Sequence, residues 1–484
     1  MTIQPATPLC FDFFEPLPIV IETSNAPLTS DAGLLPLRQF DDCIGLTRAL
    51  AAALHDPRDP DRTEHSFLEM VRMRLFGILA DYEDQNDHDT LRTDPVFKLI
   101  AGRSPDEDDL ASQPTLSRFE NAIDCPSLKR LRDVFIDQFI ASFATPPLRL
   151  TFDIDAVDDP AHGAQQLVLF HGYFEQYQYL PLVITCAEND QVVMVSLRHG
   201  TAHAALGADD DLEYLTGRLR QVWPDVHIHV RGDAGCGVPW MYDACERLGV
   251  EYTFGLAANA VLQRETADLL AEAVQRFEQT GQPQRLFVGF WYQAGTWDRP
   301  RWVIAKAEAH APGTNRRFIV SNRPGARAWI EPTYDDYAMR GESENRNKEL
   351  KRDLAMDRLS DHRFKAFKAN YFRLYLHAAA LNLLVRLRRE IADPPPMPGE
   401  SVPAEALEGA ERQRYQRHRR QRDPLGEGQP WTWRTLVLKV AASVVVSSRR
   451  VLVLLSGSWP HLDYYRRISE HIARRPAVAH VWSG

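Results

Sequence analysis

The chain has 484 residues, with 44% hydrophobic, 25% charged, 26 glycines and 32 prolines, which excludes collagen-like, coiled-coil and wholly disordered classes and leaves room for roughly three domains. The net charge of −10 argues, taken over the whole chain, against binding a polyanion. Its distribution reverses that argument: Arg340 to Arg389 holds thirteen Arg/Lys against six Asp/Glu, and six arginines crowd Arg412 to Arg422.

Six cysteines lie far apart without a Cys-x-x-Cys pair, so neither a zinc cage nor a disulfide framework is expected. The start of the chain lacks a basic n-region and a cleavage site, and no stretch reaches the ~18 uncharged apolar residues that span a bilayer. The expectation is a cytoplasmic protein with no membrane partner.

Residues 30–143 read as helical. His65 to Asp81 places Phe67, Val71, Leu75, Ile78 and Leu79 on one stripe with polar residues opposite. Ser112 caps a following helix with Pro114 in its first turn, exposing Thr115, Ser117 and Arg118, either for DNA reading or as one side of a packed helix. Beyond Pro146-Pro147 the texture becomes strand-rich: 148–154, 166–173, 179–187 and 192–198 follow one another, then helix 209–222, strand 226–230, helix 238–248 and strand 250–256. A meander followed by alternation predicts an α/β fold, a mixed sheet with flanking helices. A polar helix (262–277) and strands 286–292, 302–309 and 317–321 read as a β-rich insertion. Helix resumes at Thr333 and runs to Arg389 with a break near Ser360. The proline-rich 393–399 marks a linker, and Trp431 to Leu455 is predicted as a strand pair.

The chemistry concentrates in Tyr337-Ala-Met-Arg-Gly-Glu-Ser-Glu344-Asn-Arg-Asn-Lys-Glu-Leu-Lys351. On a regular helix Tyr337, Arg340, Glu344 and Lys351 fall within an arc of roughly 60°, one carboxylate flanked by two cations and a phenol, whereas Glu342 points about 160° away from Glu344. Arg346 and Lys348 add positive charge. Gly341, costly in a helix by about 1 kcal/mol, suggests a close approach to the backbone. Two strands also run into acids: Leu150-Thr-Phe-Asp153-Ile-Asp155 and Val226-His-Ile-His-Val-Arg-Gly-Asp233. Two strand-end acids and a helix acid can hold a divalent metal pair about 3.5 to 4 Å apart, and hard oxygen donors select Mg²⁺ or Mn²⁺. Asp153 and Asp155 share a strand face, so alternation cannot decide between them. His227 and His229 lack a third ligand at suitable spacing and read as sheet packing.

This order of strand-Asp, strand-Asp, insertion and helix-Glu, with Tyr337, Arg340, Glu344 and Lys351 at Y-x2-R-x3-E-x6-K spacing, resembles the DDE transposases of bacterial insertion sequences. Thr29 to Leu35, the Asp155-Ala-Val-Asp-Asp-Pro-Ala-His162-Gly stretch, His171-Gly-Tyr, Tyr179-Leu-Pro-Leu and Arg231-Gly-Asp233 make it most similar to the insertion-sequence-1380 family. The resemblance implies a ribonuclease-H-like catalytic domain with Asp155, Asp233 and Glu344 as catalytic metal ligands, Asp153 being the alternative to Asp155. Val157 stands where relatives carry a hydroxyl residue. It further implies two Mg²⁺ ions, with Mn²⁺ as substitute, cleavage at transposon ends, and attack by the freed 3′-hydroxyl on target DNA. Tyr337, Arg340, Lys351, Arg346 and Lys348 would contact DNA, with Trp291 and Trp297 as candidates for stacking on a base. Alternatives are a domesticated DNA-binding protein without cleavage and a two-metal nuclease without strand transfer. The partners implied are double-stranded DNA and a second copy of the chain, in the cytoplasm at the nucleoid. The expected division is 1–145 for DNA binding or dimerisation, 146–258 and 326–390 for the catalytic core, 259–325 for the insertion and 391–484 for a basic C-terminal region.

Overall fold

Leu150, Phe152 and Ile154 alternate with Thr151 and Asp153 along one strand, and all five are buried. A strand covered on both faces belongs in the interior of a sheet flanked by helices. The computed structural model describes residues 9–11, 19–21, 26–161, 163–359, 366–392 and 422–475, and this strand lies within an eight-stranded sheet. Its strands in chain order are β1 (Arg149–Ala156), β2 (Leu182–Cys186), β3 (Val192–Ser196), β4 (His227–Gly232), β5 (Glu251–Leu256), β6 (Gln284–Tyr292), β7 (Arg301–His310) and β8 (Gly313–Ser321). Across the sheet they run β6-β7-β8-β5-β4-β1-β2-β3. Neighbours β1, β4 and β5 are parallel, and the other pairings are antiparallel.

The α/β class and the meander-then-alternation order agree with the sequence expectation, except that the predicted strand 166–173 is reduced to Leu169–His171 and pairs with Gln176–Tyr179 in a separate three-stranded sheet. Strands β6 to β8 continue the central sheet, because β8 pairs with β5 from Thr253 to Leu256. Helices Ala208–Val222 and Pro239–Leu248 send Leu212, Leu215, Leu219, Met241 and Tyr242 into the core shared with β1 and β4. Val183, Val192 and Val195 on β2 and β3 belong to a second core built around the long helix Ala366–Ile391 and the N-terminal helices.

Two expectations on the helices change. The predicted amphipathic helix is Phe67–Leu79, capped by Ser66, and it is buried on nearly all sides. Its polar residues are not turned to water but paired: Arg74 with Glu120, Glu69 with Arg103 and His65, and Arg72 with Asp42. In helix Gln113–Asn121, Ser117 is buried and Arg118 is tied to Thr115, so that face is only partly open. The basic run is also partly consumed inside the protein. Arg373 pairs with Glu120 and Arg388 with Glu349, while Arg386 donates to Gln138 at 2.8 Å, all three arginines being buried. The tract Arg412 to Arg420 lies outside the described residues.

The expected strand pair from Trp431 begins only at Ala442. Pro430–Trp433 and Arg434–Leu438 are helical instead, since Trp433 and Val437, four residues apart, are both buried. Strands Ala442–Ser447 and Arg450–Leu455 then pair, joined by Leu28–Thr29. Among the described residues no helix is long and apolar enough to cross a membrane.

Candidate active site

Strands β1 and β4 run parallel with Ile154 beside Gly232, so the next residues, Asp155 and Asp233, stand next to each other where both strands end. The carboxyl ends of parallel strands open onto a crevice that side chains from several elements can reach. Asp233 is fixed there by its own turn, its Oδ1 accepting from Gly235 N at 2.8 Å. Gly255 on β5 permits the packing: a Cβ there would lie 2.7 Å from Ala234 N, 2.8 Å from the Tyr337 hydroxyl and 3.0 Å from the Asp233 carbonyl carbon.

The two candidate acids of β1 have different surroundings. Asp153 is 2% exposed, and both of its oxygens accept from Arg231, at 2.7 and 2.8 Å. Burial pushes its carboxyl up from the ordinary value, with Arg231 opposing. Asp155 faces outward toward the helix that follows the insertion, where its Oδ2 accepts from Asn347 Nδ2 at 2.7 Å and lies 3.7 Å from Arg340 Nη1. Burial pushes the Asp155 carboxyl up to about 6; the charges of Asp233 and Glu344 add to this and Arg340 counters it.

The expected single helix is broken. It runs Ile330–Ala338, breaks at Met339 and Arg340, resumes as Gly341–Lys348 and ends in a π-turn, Glu349–Asp353. Gly341 begins the second segment, and a Cβ on it would meet nothing within 4 Å; no close approach to the backbone accounts for this glycine. Arg340 at the break reaches both sides of the site, with Nη2 lying 3.5 Å from Glu344 Oε1. Glu344 is 52% exposed. Tyr337 is held against Gly255, and burial pushes its phenol up. Glu342 turns aside and accepts from Asn345 at 3.0 Å.

The remaining candidates separate. Lys351 is brought to the site's edge, its Nζ donating to Asp158 at 2.7 Å, and Lys348 is exposed. Arg346 points inward, its Nη1 lying 3.1 Å from the buried Glu349. Trp297 is a core residue, 6% exposed and packed edge-on against Tyr242 and Tyr292. Trp291 is 57% exposed, set against Trp302 with Arg327 over its ring. His229 is buried against Thr253, as its sheet-packing reading requires. Sequence reasoning missed Asn347, although it lies one helical turn beyond Glu344, and it missed Asp158 as the partner of Lys351.

The donor chemistry suits a hard divalent cation: the side chains offer oxygen ligands only, and the Asp155 carboxyl is raised by burial, with Asp233 and Glu344 adding to it. The side chains are not drawn together as ligands, however. Among the described residues no group of three or more His, Cys, Asp or Glu could hold a metal ion as placed, and Arg340 lies between Asp155 and Glu344.

The sheet thus presents adjacent strand-end aspartates, with a glutamate on a helix that follows β6 to β8. The chain belongs to the family described as Transposase DDE domain group 1, matching it over residues 14–398. None of the curated proteins compared with it matches. Among solved structures it is similar to the piggyBac transposase in a synaptic complex with hairpin DNA, at 13% identity and a TM-score of 0.35, covering 75% of this chain and 77% of that one.

Proposed function

We propose that this transposase-family chain cuts DNA at the ends of its own element and joins the freed 3′ ends to target DNA, with Asp155, Asp233 and Glu344 as the metal-holding acids. The observation that carries this reading is the placement of Asp155 beside Asp233 at the ends of adjacent parallel strands, with Glu344 reaching the guanidinium that also faces Asp155. That Arg231 occupies both oxygens of Asp153 supports Asp155 over Asp153 as the metal ligand. Two Mg²⁺ or Mn²⁺ ions, when bound, would activate the attacking hydroxyl and stabilise the leaving oxygen. Arg340, released from the acids, is free to hold a phosphate beside the scissile bond, and Lys351 and Lys348 extend the same cationic edge. Tyr337 buttresses Asp233 through Gly255, and Trp291 offers the exposed ring for a displaced base. The motif order supports a finer placement with the insertion-sequence-1380 family, double-stranded inverted-repeat DNA as partner, pairing of two chains on DNA, and a cytoplasmic setting.

The test is nicking and joining of DNA bearing the element's ends, with Mg²⁺ or Mn²⁺. D155N, D233N and E344Q should abolish nicking and keep DNA binding, whereas D153N should slow it. Nicking without joining would make the protein a two-metal nuclease. Binding without nicking in the unaltered chain would make it a DNA-binding descendant.

A further inference from the structure

Arg231 sits on β4, two residues before Asp233, and its guanidinium is 4% exposed. Nε and Nη2 form a two-pronged contact with Asp153, two residues before Asp155 on β1. Nη1 donates to the main-chain carbonyl of Asp336 at 2.6 Å. That carbonyl belongs to the last turn of helix Ile330–Ala338, where the break begins: Arg340 N bonds to Tyr337 O at 3.0 Å instead of continuing the regular ladder to Asp336. A helix end leaves carbonyls without intrahelical partners, and Arg231 supplies one. The Asp336 side chain meets Arg323 at 2.6 Å from the other side.

One guanidinium therefore ties together the strand that runs into Asp233, the strand that carries Asp155, and the helix segment whose broken end leads through Arg340 to Glu344. We infer that Arg231 is a positioning residue that fixes the mutual spacing of Asp155, Asp233 and Glu344, with Asp153 as its anchor. This rests on the reading of those acids as the metal-holding set. A planar fork satisfies both oxygens of a carboxylate and a carbonyl in one fixed geometry, which a lysine ammonium, a point charge on a flexible stem, does not reproduce. Side chains that orient metal ligands typically alter metal affinity or activity by about 10- to 100-fold when replaced.

The experiment compares the full-length chain with R231K and D153N. Four quantities are measured: thermal unfolding, amide hydrogen exchange of residues 330–348 without metal, Mn²⁺ binding by electron paramagnetic resonance, and the kcat and KM of end nicking. R231K should bind end DNA with KM changed by less than about twofold, exchange faster by about tenfold across 330–348 with 366–391 unchanged, bind Mn²⁺ at least about tenfold more weakly, and lose at least about tenfold in kcat. Unaltered exchange and unaltered Mn²⁺ affinity in a folded R231K overturn the inference. Should R231K fail to fold, D153N decides by the same two readouts, since it keeps the guanidinium and removes only the anchoring charge. If the unaltered chain neither binds Mn²⁺ nor nicks DNA, the catalytic reading fails, and the exchange of 330–348 still decides whether Arg231 sets the helix.

Discussion

Asp155 and Arg340 face each other across 3.7 Å, the carboxylate at the end of a sheet strand and the guanidinium at the break of a helix. Arg340 is the counter-ion of Asp155, and Glu344 lies 3.5 Å from the same guanidinium. Burial of the Asp155 carboxylate, with Asp233 and Glu344 adding to it, has a measurable cost.

Asp155 is pushed from an ordinary 3.8 to about 6. A folded-state value raised above the unfolded one means that stability is full below pH 3.8 and is lost as pH rises through 6, a loss of about 3 kcal/mol at neutral pH. D155N should therefore stabilise the metal-free protein at pH 7.5 by up to that amount, with the gain shrinking toward pH 4. Urea unfolding at the two pH values checks it, and equal gains at both would contradict a carboxyl raised by burial and its acidic neighbours.

Glu120 behaves oppositely. It is fully buried between Arg74 and Arg373, and against the upward push of burial the two cations hold its carboxyl down at about 2. A depressed value gives stability that is present above the unfolded value near 4.5 and lost as pH falls toward 2, amounting to about 3 kcal/mol. E120A strands two buried guanidinium groups and should cost about 3–5 kcal/mol in denaturant unfolding at pH 7. A loss under about 1 kcal/mol would show the triad to be solvated.

The two tryptophans should part company. W297A opens a hole among Tyr242, Tyr292 and Arg301 and should cost about 3–5 kcal/mol. W291A, on the surface, should cost far less stability while weakening binding to DNA carrying an unpaired base, by about 1–3 kcal/mol. Fluorescence-detected unfolding and DNA titration separate the two outcomes, and unchanged DNA affinity in W291A removes it from the interface.

Arg346 and Lys348, two positions apart, make a matching contrast. R346A takes a partner from the buried Glu349 and should destabilise by about 1–3 kcal/mol. K348A should leave stability within about 0.5 kcal/mol and lower the salt slope of DNA binding by about one. A K348A slope equal to that of the unaltered chain would place Lys348 away from phosphate.

The sheet was legible because its strands are short runs of β-branched and aromatic residues between clear turns, as in 182–186 and 192–196. The strand-end acids were legible for the same reason: Asp155 and Asp233 interrupt apolar runs. Alternation could not separate Asp153 from Asp155, since the difference lies in a partner 78 residues away, Arg231. Periodicity also misplaced the charges of Phe67–Leu79 and of Arg373 and Arg388: a polar residue on a helix reads as solvent-facing until its buried counter-charge is known. The break at Met339 and Arg340 carries no proline, and the contact found there, the Asp336 carbonyl accepting from Arg231, joins residues far apart in the chain.

The π-turn at Glu349–Asp353 closes through Leu354 N and Glu349 O at 2.9 Å. One residue inserted into a regular helix leaves this geometry, and such bulges recur near functional sites. A descendant lacking that extra residue would keep the hydrophobic interior beyond it in place but rotate what precedes it by about 100°, carrying Lys351 away from Asp158. The placement of Lys351 relative to Glu344 thus depends on the wider turn as well as on their separation in sequence.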